Sequence, residues 1–173
     1  DQTTMTARMV VVGFDPGGER SGWAALEISG SAAQPRAAFL GTGDVESTGP
    51  ALDVFFASCA PLAMYPGRVV AVERTKGKAY SDKGAGVVPH LIECARADSM
   101  ICENARVRGL RVVQLPAVEW RRHVCGRHDP DDALVKVTIL RFVAGWPSRS
   151  NPHNRDAAGV ALAAAMKSGV GWS

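Results

Sequence analysis

The chain has 173 residues, 46% of them hydrophobic and 21% charged, with a formal net charge of +3. A chain of about this length makes one domain and buries roughly 70% of its unfolded surface, so it needs neither disulfides nor structural metal to build a core. The composition excludes a low-complexity polymer, no apolar run reaches the ~18 residues of a membrane span, and no signal-peptide pattern opens the chain, so a cytoplasmic protein is expected.

Residues 1–7 read as a disordered extension to a single domain spanning 1–173. Residues 8–15 (RMVVVGFD) form the first predicted strand, rich in β-branched side chains and ending on Asp15. A glycine turn leads into a second strand over 22–29, and "GSAAQPR" turns the chain into a third over 36–42. Connections this short predict an antiparallel meander. A helix is expected over 49–60 and a fourth strand over 67–73, ending on Glu73. The loop "KGKAYSDKGAG" follows, and Val88, Leu91, Ala95, Met100 and Ile101 then give residues 88–107 the spacing of an amphipathic helix. A fifth strand over 110–115 stops at Pro116; helices follow at 130–144 and from Pro152 onward. Asn151 stands where a helix is capped and Pro152 at its first position.

The order βββ-α-β-α-β requires parallel pairing through right-handed crossovers. If the fourth strand lies beside the first, Asp15 and Glu73 meet at one edge. Two partly buried carboxylates side by side repel unless a proton or a cation lies between them. His153 and Asp156 stand three apart on the first turn of an Ala-rich final helix, and a helix packed on the sheet would carry both to the same edge. Three carboxylates and an imidazole suit a hard divalent cation. Cys59, Cys94, Cys102 and Cys125 have no paired spacing and are expected as free thiols. Basic residues gather at Arg74, Lys76, Lys78 and Lys83, at Arg121, Arg122 and Arg127, and at Arg149 and Arg155, which makes either solvated surface or, where the fold brings them together, a polyanion-binding face.

Four segments together resemble the RuvC-type Holliday junction resolvases of the RNase H-like superfamily: "GFDPGGERSGWA", "VAVE", "LPAVEWRRHVCG" and "NPHNRDAAGVALAAAM". The resemblance implies an α/β, RNase H-like five-stranded mixed sheet, strands one to three antiparallel and strands four and five parallel to strand one, flanked by helices. It implies a homodimer, formed through the helix around 88–107, that cuts four-way DNA junctions with two Mg²⁺ or Mn²⁺ ions per active site. Asp15 would bridge both ions, Glu73 would hold the leaving-group ion, and His153 with Asp156 would hold the ion that activates water. Arg74, Lys76, Lys78, Tyr80 and Lys83 would meet the DNA. Where many members carry an aromatic three residues beyond the acidic motif, this chain has Lys76, with Tyr80 nearby. Lys136 and Arg141 are further candidates for DNA contact. The alternatives are an RNase H-fold nuclease acting on RNA or on other branched or duplex DNA, a binding module without chemistry, and an actin-like ATP-binding protein, which would need a second phosphate turn.

Overall fold

The computed structural model of the chain describes residues 8–31, 34–65, 69–75 and 87–168. Strands β1 (Met9–Asp15), β2 (Arg20–Ser31) and β3 (Gln34–Glu46) form the expected antiparallel meander. Strand β4 (Val69–Arg74) pairs parallel with β1, and β5 (Arg111–Pro116) parallel with β4. Among the described residues the sheet has six strands rather than five, because β6 (Val143–Ala144) adds to β3 and completes the order β5-β4-β1-β2-β3-β6. The sequence predicts these two residues at the end of the helix over 130–144. Val143 instead adopts an extended conformation, and Gly145, at φ 78, turns the chain away just beyond.

Helices α1 (Ala51–Ala57) and α2 (Cys59–Met64) replace the single helix expected over 49–60. Pro61 explains the break: it has no N–H to donate, and its ring would clash with the carbonyl of the preceding turn in a continuous helix. Ser58 sits at the junction and donates its hydroxyl to the Phe55 carbonyl at 2.8 Å. Helix α3 (Val87–Val107) links β4 to β5, followed by α4 (Ala117–Cys125), α5 (Asp132–Phe142) and α6 (Pro152–Ser168). Asp131 caps α5 by accepting the Leu134 N–H at 2.7 Å, and Gly126 ends α4 in the left-handed region.

Strand β3 extends beyond the expected 36–42, through Gly43 to Glu46, and Gly41 and Gly43 both lie under aromatic rings. A Cβ at Gly43 would come within 2.9 Å of the Trp23 indole, and one at Gly41 would overlap the Tyr65 hydroxyl. These glycines make room for side chains on neighbouring elements and leave the strand unbroken.

Alternation along the central strands divides the core in two. Val12, Phe14, Val70 and Val72 pack with Ile101, Cys102 and Ala105 of α3. Val11, Val69 and Ala71 pack with Trp120 of α4 and the small residues of α6, from Ala157 to Ala165. Helix α6 rests on the backbone of β1, since a methyl group at Gly13 would overlap the carbonyl oxygen of Ala157. Gly159 makes room in the same way for the Trp120 indole. Leu91 and Ile101 of the α3 stripe are buried, Met100 is half-buried and Ala95 is exposed. All four cysteines are free, Cys94 and Cys102 buried, as expected. Among the described residues no helix is long and apolar enough to cross a membrane. The extension at 1–7 lies outside the described residues.

Substituting Gly13→Ala forces α6 off the sheet, at an expected cost of about 1–3 kcal/mol. Thermal unfolding of the purified variant checks this; a melting temperature equal to that of the unaltered chain would contradict the close contact between α6 and β1.

Candidate active site

The site lies where β1 and β4 end side by side. Phe14 is in register with Val72, so Asp15 and Glu73 follow on adjacent parallel strands. Asp15 is 9% exposed and Glu73 half-buried. On the far side of β1, Asp15 pairs with Gly22 of β2. A Cβ at Gly22 would come within 2.6 Å of the His153 backbone, so a glycine here lets the first turn of α6 settle over the sheet edge. The turn is built as its sequence suggests, with Asn151 Oδ1 accepting the Asn154 N–H at 2.8 Å.

Seated there, α6 brings His153 and Asp156 to the two strand-end acids. His153 Nδ1 lies 2.7 Å from Asp15 Oδ2. This hydrogen bond, opposed by burial and reinforced by the charge of Asp15, raises the proton affinity of His153 above the usual histidine range. Burial and then the charge of Asp15 push the Glu73 carboxyl up to about 8. The same two causes, in the same order, raise Asp156 to about 6. The three acids therefore act on one another through a partly desolvated space, where charge interactions are stronger than in water.

Two residues of α4 offset this repulsion, and reading the sequence did not single them out as members of the site. Trp120, fully buried, donates its indole N–H to Glu73 Oε2 at 2.6 Å. Arg121 donates from Nη2 to Asp156 Oδ2 at 3.1 Å, with its guanidinium 5.3 Å from the centre of the Trp120 ring. The parallel β4–β5 register carried the missing signal: Glu73 pairs with Leu115, so the chain leaves β5 at the same edge and enters α4 beside the acids. Reading Arg121 as part of a basic cluster recognised its charge but not its partner.

Among the described residues no three His, Cys, Asp or Glu side chains stand at the spacing of a ready-made metal cage. Each of the four site residues is tied to a neighbour within the protein instead. The donor set nevertheless suits a hard divalent cation, being carboxylate oxygens and an imidazole with no thiolate. Its residues also fit on electrostatic grounds, because the charge of Asp15, second to burial, raises the proton affinities of both Glu73 and Asp156, and a cation among the three acids would relieve that repulsion.

The remaining expected contacts separate. Arg74 is exposed at the end of β4, next to Glu73. Lys76, Lys78, Tyr80 and Lys83 lie outside the described residues. Lys136 and Arg141 are exposed on α5, Arg141 lying 5.8 Å from the Phe142 ring centre. Arg155 does not belong to a basic surface: it is 8% exposed and donates to the Ser150 carbonyl. A cleft of about 370 Å³ opens between the β1–β2 turn and the start of α3, lined in part by Gly18, His90, Glu93 and Arg96.

No family model matches the sequence, and no curated protein matches it. Solved structures share the fold. Thermus thermophilus RuvC superposes with a TM-score of 0.74 at 19% identity, covering 94% of this chain and 97% of that one. T. thermophilus RuvC in complex with Holliday junction substrate gives 0.77 at 19% identity, covering 94% and 96%. The fowlpox virus Holliday junction resolvase gives 0.55 at 10% identity, covering 92% and 99%. The chain thus has the fold of the RuvC-type resolvases, an RNase H-like mixed sheet with helices on both faces.

Proposed function

We propose that this protein is a metal-dependent endonuclease that resolves four-way DNA junctions. The observation that carries the proposal is the convergence of Asp15, Glu73, His153 and Asp156 at one sheet edge, in a fold shared with a RuvC bound to a junction. These four residues would hold Mg²⁺ or Mn²⁺, two ions per site. When bound, such ions supply an activated water and neutralise charge developing on the phosphate.

The chain's own contribution is orientation and charge. Trp120 holds one oxygen of Glu73 and leaves Oε1 outside that bond. His153 engages Asp15 through Nδ1, which leaves Nε2 of the same ring outside that bond. Arg121 neutralises Asp156 and keeps it at the edge rather than in solvent. Arg74, and after it in the sequence Lys76, Lys78, Tyr80 and Lys83, would meet the DNA; the cationic members would bind phosphates and give affinity without sequence information. A homodimer formed through α3, whose Ile92 is exposed, would present two such sites to the two symmetric strands of a junction.

Asp15→Asn and Asp156→Asn should each lower junction cleavage in Mg²⁺ by at least about 100-fold, while junction binding measured in EDTA stays unchanged. A variant cutting at the normal rate would remove that residue from the site. Cleavage of a four-way junction, a linear duplex and an RNA hybrid should be compared side by side, and equal rates on junction and duplex would overturn the junction assignment.

Without divalent cation, the raised values of Glu73 (4.5 to about 8) and Asp156 (3.8 to about 6) mean that the folded chain binds more protons than the unfolded one. Stability in EDTA should therefore fall as pH rises from about 4.5 to 8. Glu73→Gln, which keeps an acceptor for Trp120, should flatten that fall, and Mg²⁺ should reduce it. A melting temperature that climbs over this range in EDTA would reject the electrostatic account.

Replacing Lys76 and Lys78 by Ala should weaken junction binding and reduce the slope of log affinity against log salt by about 2. An unchanged slope would exclude these residues from the phosphate contacts.

A further inference from the structure

We infer that Asp44 is a positioning residue of the candidate site, acting as the second anchor that holds the first turn of α6 over the sheet edge. Three strands carry one row across this edge. Asp15 of β1 pairs with Gly22 of β2, and Gly22 pairs with Asp44 of β3. The middle position has no side chain, and the His153 backbone occupies the room this leaves. The first turn of α6 therefore straddles the row, with one carboxylate on either side.

On one side stands the bond between His153 and Asp15. On the other, Asp44 Oδ1 accepts from Asn151 Nδ2 at 3.2 Å and from Asn154 Nδ2 at 3.2 Å, with Asp44 Oδ2 3.4 Å from Asn151 Nδ2. Asn154 is 6% exposed and also donates to the Gly43 carbonyl at 2.7 Å, so its amide is committed to this stretch of β3. Asn151 simultaneously caps the helix through its own Oδ1. Losing Asp44 would remove one of the two carboxylates that fix the helix start, leaving His153 to pivot on Asp15 and the other side of the turn held by the bond from Asn154 to the Gly43 carbonyl. Sequence patterning did not single out Asp44.

Its role can be tested without any activity. Amide hydrogen exchange in EDTA, on the full chain, should show Asn154 and Arg155 exchanging about tenfold faster in Asp44→Ala. The amides of Ala161, Leu162 and Ala163 should not change. Asp44→Asn should stay within about twofold of the unaltered chain, because both amides converge on a single oxygen that an asparagine also offers. No change at Asn154 and Arg155 would overturn the inference. Uniform acceleration along α6 would also overturn it, as the mark of a merely global loss of stability.

A second readout rests on the proposed function. Asp44→Ala should cut a four-way junction about tenfold more slowly at unchanged junction affinity, and Asp44→Asn should restore the rate. Cleavage at the normal rate by Asp44→Ala would overturn the inference. If the unaltered chain fails to cut junctions, the proposed function fails, and the exchange measurement still decides the role of Asp44.

Discussion

Helix α6 lies directly on the backbone of β1, and everything at the candidate site follows from that contact. Gly13 removes the methyl group that would separate them, and a run of alanines on α6 presents an almost flat surface to the strand. Close-packed interiors transmit small displacements, so the distance between helix and strand sets where the first turn of α6 falls. At that distance His153 reaches Asp15. With a bulkier residue at either level, the same side chains would exist on the same elements without meeting.

Assembling the site confronts the chain with three mutually repelling acids in partly dry surroundings. Burying a carboxylate is costly unless it is hydrogen-bonded or paired. The protein meets this with three different groups, each from an element at the same edge. An imidazole from α6 meets Asp15, an indole N–H from α4 meets Glu73, and a guanidinium from α4 meets Asp156. Trp120 and Arg121 are consecutive residues, so one placement of α4 serves two acids at once. Trp120 also packs against Gly159 of α6, which ties α4, α6 and β4 together behind the acids. This support leaves the four residues near one another without closing them into a finished metal cage.

Asp44 extends the same logic along the sheet. The row Asp15–Gly22–Asp44 is perpendicular to the strands, and the helix start spans it. Such a row is a property of strand register rather than of any segment, and it joins residues that are widely separated along the chain.

The sequence by itself determined those features that depend on local periodicity, on caps and on chain order. Strands carrying Asp15 and Glu73 near their C-terminal ends, the cap at Asn151 and the meander at the start all follow from patterns within a few residues. Parallel pairing of β1 with β4 follows from crossover topology. Only the tertiary structure decided what depends on neighbours across elements. The close fit of Gly41 and Gly43 under the rings of Tyr65 and Trp23 has no signal in the sequence, and Val143 looks helical until β3 offers it a partner. Trp120 and Asp44 carry no signal of their own in the sequence, and Arg121 reads only as one of a basic cluster. Their part in the site arises from register and packing, which place a side chain relative to distant ones, and a one-dimensional pattern contains no measure of that distance.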